Sequence, residues 1–494
     1  MSPSLDALNH DILIYIFTAL AIPEILLLRR VSRRLYLVSE QHAVWNTACT
    51  NEILRNGIPF LKRPLTSFSA KDLERETLRA YELGLNWRSP TTTLHHVIST
   101  PIEFGAIESI RFLSRHGRNW IITTSIRIWW TLCIRDCDSL QVVAQWSPGK
   151  ALFNGMAVNS DDHSDAAIAI SVHWIGRTTV ELLSISDDST GGITIHSRRI
   201  LDTSSKPVAL DGDIIALCDH DSETMILNWK TQEQALLRSP DTWQVMRLIH
   251  TLLVIDKPLH VAFTRGSIFV VRARSICIFD EPRMALPGDS PSVVLPRIFK
   301  SFGWLDGVAL ALGSSAPFCP VSSSQSPLSL LVRDKGGDPW RPTELFQFMT
   351  LNADFNRTPD HTSQDISSTS HEPQSLSFPF SRISDLSSNY RGPLRCSDMV
   401  LGSYGTAVWV QPSDWAAGGL IAGENFVEQV ATSTSRESLV VALFPGLLNQ
   451  GSPEAHIKVV LESDGSGWSC LDYDEARGLI ALGSGSGEVT VFRL

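Results

Sequence analysis

The chain has 494 residues, 43% of them hydrophobic and 19% charged, with a formal net charge of −10 at pH 7. That length exceeds one ordinary core and the composition is that of a globular protein, while the acidic balance excludes broad binding to a nucleic-acid backbone, which needs a basic face. Eight cysteines scattered through so long a chain make no disulfide framework, so a reducing compartment, cytoplasmic or nuclear, is the expectation.

The first readable stretch is helical. Leu8, Ile12, Ile16 and Leu20 recur every four residues with Leu13 and Phe17 beside them, one broad apolar stripe on a helix. A second helix is expected from Pro23, since proline is tolerated at a first helical position and Glu24 suits the positive end of the dipole. Ile25, Leu26 and Leu28 line its buried side. After Val31, the Ser32 hydroxyl is placed to cap a third helix carrying Leu35 and Val38 toward Trp45. Three such helices hold more apolar surface than they can hide, because domains below roughly 40 residues seldom bury enough to fold unaided. Their cover is either the rest of this chain or another protein. The acidic beginning and the interruption at Pro23 and Glu24 speak against a secretory signal and against a membrane span.

The residue order then adds what periodicity does not. Leu8-x-x-Asp11-Ile12-Leu13-x-x-Ile16-Phe17-x-x-Leu20, Ile22-Pro23-Glu24-Ile25-Leu26, Arg29, Val31-Ser32-Arg33-Arg34-Leu35 and Trp45 together resemble the F-box, the module that docks on the Skp adaptor of cullin-RING ubiquitin ligases. Asn9 stands where that family usually has proline, which loosens the first helix but removes no apolar anchor. The resemblance implies a small three-helix F-box domain over residues 1–50. Its adaptor-binding residues would be Leu8, Ile12, Leu13, Ile16, Phe17, Leu20, Pro23, Ile25, Leu26 and Val31, with Trp45 packing the base. A plain helical hairpin packed on the downstream domain is the alternative.

Residues 51–90 read as a helical linker. Ser69 followed by Asp72 makes a capping box opening a helix in which Leu73, Thr77, Ala80 and Tyr81 share a face until Gly84 stops it. A helix transmits orientation better than a glycine linker. The Asn86-Trp87-Arg88 run also resembles the segment that follows the F-box in a group of fungal F-box proteins.

Beyond Pro90 short apolar runs closed by turn residues predict strands at Trp120–Trp130, Ala166–His173, Thr179–Ile185, Ile214–Leu217, Thr224–Trp229, Ile268–Val271, Ser275–Phe279, Val308–Leu312 and Thr406–Val410. Leu479 to Phe492 is a hairpin around a glycine-serine turn. It resembles the closing strands of a WD-type repeat, with Phe492 where tryptophan is frequent and Arg493 where aspartate is frequent. Similar strand ends near Trp129, Leu182, Trp229, Phe279 and Trp409 mostly recur at roughly 45 to 55 residues, about the length of a four-stranded propeller blade. Runs apolar on both faces suit blades stacked face to face. The expected class is therefore α + β multidomain, with an all-β propeller over 91–494. Seven blades are favoured and six or eight stay open, because the interval from Phe279 to Trp409 is too long for one blade. Leu328–Arg333 and Leu345–Leu351 are candidate strands within it, and 356–377 reads as a mobile Ser/Pro-rich insertion. A strand near Thr91 to Ile98 is expected to pair with the last blade and close the ring.

No catalytic constellation stands out. Cys133 and Cys137 lack the second pair a zinc site would want, and His95, His96 and His371 lack partners that would make them ligands or bases. The Gly483–Gly487 run has no following helix to hold an anion. Asp161–Asp162 and Asp187–Asp188 read as solvated loop carboxylates, and Asn356-Arg357-Thr358 as a chance match to the glycosylation pattern. Neither a cofactor nor a metal is expected. Substrate-binding residues are not assignable, although Arg127, Arg272, Arg274 and Arg333 lie in or beside predicted strands. The resemblance thus implies a non-catalytic substrate receptor of a Skp-cullin-F-box ubiquitin ligase, holding a protein substrate on its propeller, with neither nucleic acid nor membrane as partner. The alternative is an F-box and propeller scaffold that binds the adaptor outside a ligase.

Overall fold

A computed structural model describes residues 5, 8–100, 105–115, 117–187, 192–218, 223–238, 258–264, 266–301, 305–312, 328–334, 343–350, 380–388, 396, 398–413, 436–449, 454–464 and 467–494. The expected insertion at 356–377 and His371 lie outside the described residues. The chain begins with helices α1 (His10–Thr18), α2 (Ile22–Arg29), α3 (Arg33–Ser39) and α4 (His42–Ala48), followed by one π turn, Cys49–Leu54, and the long helix α5 (Ala70–Arg88).

Local chemistry explains the ends of these helices. Asn9 caps α1 by accepting a hydrogen bond from the His10 amide at 2.7 Å. Glu24 reaches back to the Ala21 amide at 2.9 Å, and Ser32 Oγ accepts from the Leu35 amide at 3.2 Å. The third expected helix is really two. Gln41 takes an extended conformation (φ −69°, ψ 137°), so the chain turns there and α4 brings Trp45 back against α1. In α5 the Ser69 cap is as expected, with the Asp72 amide donating to Ser69 Oγ at 3.1 Å. Gly84, however, does not end that helix, which runs on to Arg88. A Cβ at Gly84 would lie within 2.7 Å of the Ile58 side chain, so the glycine makes room for a neighbour rather than a turn. No helix among the described residues is long and apolar enough to cross a membrane.

Beyond α5 the described residues are mainly antiparallel sheet. Among the described residues there are seven sheets of four or five strands. The first holds Ala106–Arg115, Arg118–Ile126, Trp130–Asp136 and Val142–Trp146; the second Leu152–Val158, Ile168–Trp174, Arg177–Asp187 and Ile193–Asp202. The third holds Lys206–Asp211, Ile214–Cys218, Thr224–Asn228 and Gln234–Leu237; the fourth Pro258–Thr264, Ser267–Arg272, Ser275–Asp280 and Ile298–Ser301. The fifth holds Leu305–Leu312, Leu328–Asp334, Thr343–Thr350 and Phe380–Ser388; the sixth Met399–Leu401, Thr406–Ser413, Arg436–Leu443 and His456–Asp464. In the seventh, Trp468–Asp474, Leu479–Ser484 and Val489–Arg493 are joined by His95–Ser99, which pairs His95 with Arg493 and Ser99 with Thr490. The expected closing strand is thus in place. One strand was not expected: Ser292–Val294 leaves the fourth sheet and adds to the edge of the third, parallel to Gln234–Leu237.

The sheets form a closed ring of neighbours, which is a propeller arrangement. One apolar cluster lies between each successive pair. Leu113 and Ile122 meet Phe153 and Ile170 between the first and second sheets; Leu182 meets Leu217 between the second and third. Ile226 meets Val270, Ile278 meets Leu330, and Leu331 meets Trp409 at the next three junctions. Ile480 shares a cluster with Val441 at the junction of sixth and seventh, and Ile107 with Val491 where the ring closes. Each sheet is therefore apolar on both faces, which is why its strands read as unbroken apolar runs.

Candidate functional site

The helices at the N-terminus are not a separate body. Their core, Leu13, Phe17, Ile22, Ile25, Leu35, Val38, Val44 and Trp45, is continuous through Leu73, Leu83 and Trp87 of α5 with Val408, Leu439, Leu471 and Ile480 of the sixth and seventh sheets. Trp87 packs edge-on against Tyr473 at a centroid distance of 6.3 Å. Lys458 of the sixth sheet donates to the carbonyls of Trp87 (3.1 Å) and Ser89 and to Thr92 Oγ1 (2.8 Å), and Arg88 donates to the Asn56 carbonyl at 2.9 Å. Within the bundle, the Arg29 guanidinium donates to Ser39 Oγ at 2.8 Å, pairs with Glu74 of α5 and lies over the rings of Tyr36 and Trp45. One charged side chain so ties α2 to α3, α4 and α5.

This bundle leaves large apolar side chains uncovered, interspersed with exposed charged residues such as Asp11, Glu24, Arg30 and Arg34. Seven of the twenty exposed large hydrophobic side chains among the described residues fall in the first 37 positions, and Tyr15, Leu27 and Val31 are 77%, 64% and 69% exposed. They sit on the outward faces. In α1, Ile12, Tyr15 and Ile16 share a side spaced three and four apart, while Leu13 and Phe17 turn inward. In α2, Leu27 stands opposite the buried Ile22 and Ile25. Tyr36 and Leu37 do the same in α3.

Of the eleven residues expected at an adaptor contact, Leu13, Phe17, Ile25 and Trp45 are fully buried inside the chain. They can shape such a surface only by holding the helices that present it. Ile12, Pro23 and Val31 are exposed, Ile16 is half-buried, and Leu8, Leu20 and Leu26 are half-buried at the margin of the core. Sequence reading passed over Tyr15, Leu27, Tyr36 and Leu37. Each falls off the buried stripe of its own helix, a stripe that the structure identifies.

The centre of the ring carries a second polar group. Arg111 of the first sheet lies 3.7 Å from Asp398 and donates to the Leu471 carbonyl at 3.3 Å. Asp398 accepts from the Leu471 amide at 3.0 Å, and Asp472 accepts from the Phe112 amide at 2.6 Å, which laces the sixth, seventh and first sheets together. Burial pushes the Asp472 carboxyl up to about 6 although Arg111 opposes it, and burial with the Arg111 charge takes His260 down to about 4. The two act in opposite directions on stability. A raised carboxyl contributes stability that is full below its unfolded value and lost as pH rises through about 6. A lowered imidazole contributes stability that is present above its unfolded value and lost as pH falls through about 4. Relative to the unaltered chain, His260→Gln should therefore lose stability as pH rises from 4 to 6, and Asp472→Asn should gain it, by up to about 3 kcal/mol each. Urea midpoints at the two pH values check this; parallel slopes in both variants would refute it.

Nothing in this cluster is arranged for metal: among the described residues no three His, Cys, Asp or Glu side chains converge. Cys133 and Cys137 are buried free thiols. Of the four arginines considered for substrate, Arg272 is fully buried and donates to Thr224 Oγ1 at 3.3 Å, Arg333 is buried, Arg274 is half-buried, and Arg127 is exposed at a hairpin tip.

No protein-family model matches the sequence, and no curated protein matches it. Among solved structures, many are similar to the chain, two propeller domains among them. One is the WD40 domain of SCAP from fission yeast, at 10% identity over 78% of this chain and 82% of that one, TM-score 0.43. The other is the β-propeller domain of Cps50 (Swd1) from Myceliophteria thermophila, at 9% identity over 81% and 99%, TM-score 0.45. The fold assignment rests on the seven sheets and their closed ring.

Proposed function

We propose that this chain is a non-catalytic bridging receptor: its N-terminal helices are an F-box that docks on the Skp adaptor of a cullin-RING ubiquitin ligase, and its seven-bladed propeller holds a protein substrate for ubiquitination in the cytoplasm or nucleus. The observation that carries this reading is the set of exposed apolar side chains on α1 to α3, helices whose inward faces are already filled by the rest of the chain. A soluble chain rarely keeps so many large apolar side chains in water on one small element unless a partner covers them. Its seat on the ring supports the reading further, because ubiquitin transfer by proximity needs the docked substrate held at a fixed position relative to the ligase. Lysines of that substrate would meet activated ubiquitin at a raised effective concentration.

The test is a co-precipitation of the full chain with the Skp adaptor. Tyr15→Asp combined with Val31→Asp removes two exposed side chains that contact little of the chain itself. Full burial of each is worth about 1.5–3 kcal/mol, about 3–6 kcal/mol for the pair, so adaptor binding should fall by at least about a hundred-fold while the thermal midpoint stays within a degree or two. Undiminished adaptor recovery sinks the proposal. Recovery of adaptor without cullin would instead assign the chain to a scaffold outside the ligase.

A further inference from the structure

Where the ring closes, a cavity of about 470 Å³ opens between the closing strand and the first sheet. One wall is Ile98 to Thr100, held by a hydrogen bond from the Thr100 amide to the Val489 carbonyl at 2.9 Å and another from the Val489 amide to Thr100 Oγ1 at 3.0 Å. The opposite wall is the strand Trp130–Asp136, whose alternate residues Thr131, Cys133 and Arg135 face the cavity while Leu132 and Ile134 are buried on the other side. Arg127 and Trp129 border it from the hairpin tip, and Gln145 lies beside Cys133 on the neighbouring strand.

The charge of this cavity is one-sided. Among the described residues its lining includes two arginines and no carboxylate, and neither Arg127 nor Arg135 has an ion pair. Arg135 is only 7% exposed; its Nη1 donates to the Leu140 carbonyl at 3.0 Å, and its buried Nε has no partner. A guanidinium does not escape such a position by losing its proton, and a buried charge without a counterion is costly. Cys133 offers no compensating charge, since burial raises its thiol above the usual range and keeps it neutral. An oxyanion entering from solvent would supply what the chain does not. Trp129, 43% exposed, adds a flat apolar surface at the mouth. The volume lies within the range of small-molecule sites, about 300–1,000 Å³.

From this geometry we infer a binding site for a small organic anion, a carboxylate or phosphate monoester head on Arg135 and Arg127 with a flat apolar body against Trp129. This site is independent of the adaptor face and of the ubiquitin-ligase reading. The test titrates the full chain with phenyl phosphate, benzoate and neutral benzyl alcohol by isothermal calorimetry, with tryptophan fluorescence as a second readout. Saturable binding of at least one anion, with none of benzyl alcohol, is expected. Tighter binding of phenyl phosphate marks a phosphate ligand, and tighter binding of benzoate a carboxylate. Arg135→Gln and Arg127→Ala should each weaken it at least about ten-fold, as loss of a charge-assisted hydrogen bond does. Gln145→Glu, an exposed substitution that leaves the fold intact, should abolish it by presenting a carboxylate to the same arginines. No saturable binding of either anion, or affinity unchanged from the parent chain in Arg127→Ala and in Gln145→Glu, overturns the inference.

Discussion

Replacing Trp87 by alanine is expected to cost about 3–5 kcal/mol, the range for truncating a large buried aromatic. Trp87 is 2% exposed and sits where α5 meets the ring, edge-on to Tyr473, with its carbonyl held by Lys458. Its loss leaves a cavity at a seam that both the bundle and the last two sheets depend on. The variant should therefore unfold at much lower urea concentration in a single transition reported equally by helix and strand signals. Trp87→Phe keeps most of the contact and should lose no more than about 1.5 kcal/mol. Two separate transitions, with the strand signal unmoved, would show that helices and ring are independent bodies. The same reasoning bears on truncation. Removing residues 1–50 uncovers the face of α5 that carries Leu73 and Ala80, so a shortened chain is a poor control for adaptor binding and point substitutions on the exposed face are better.

The ring was legible because its physics is local and repeated. A strand packed between two sheets must be apolar on both sides, and runs such as Ile268–Val271 and Ser275–Phe279 announce this without help from the rest of the chain. The helix caps at Ser32 and Ser69 were legible for the same reason, since a hydroxyl and an amide three residues apart decide the matter. The third sheet's extra strand was not. Ser292–Val294 has three residues among prolines, too short for periodicity to register, and it pairs with residues some 57 positions away. Gly84 was misread because a glycine that ends a helix and one that admits a neighbour's side chain look alike in sequence. Only the position of Ile58 distinguishes them.

Of the apolar residues that the sequence singles out in α1, the structure turns Leu13 and Phe17 inward and leaves Ile12 exposed and Ile16 half-buried. Leu13 and Phe17 lie about a third of a turn around α1 from Ile12 and Ile16, so six apolar residues there form a band too wide for one face. Periodicity tells that a helix has an inside; it does not tell which edge of a broad band meets the protein and which meets solvent. The buried edge is chosen by α3 and α4, elements that begin about twenty and thirty residues after the start of α1. For the same reason Tyr15 and Leu27 went unnoticed: each looks incidental until the opposite face is known to be full.

The seam between helices and ring makes one further demand on the backbone, at Gly57. Its φ is +62°, in the left-handed region, and a Cβ there would collide with the backbone carbonyl of Leu447 in the loop after the sixth sheet's third strand. Gly57→Ala should therefore lose stability on two counts, roughly 1 kcal/mol for the dihedral and as much or more for the collision, about 2–4 kcal/mol together. Gly149→Ala separates the two terms, because Gly149 also has a positive φ, +90°, but nothing within 4 Å of the position its Cβ would take. That variant should lose only about 1 kcal/mol. Equal losses in the two would mean that Leu447 yields and the seam is compliant. A larger loss at Gly57, measured as the difference in urea midpoint, means that the loop carrying Leu447 cannot retreat. Leu448 beside it also accepts from Arg88, so the helices and the sixth sheet then approach each other at one fixed distance, and the direction in which the exposed face of α1 to α3 points is set by the ring.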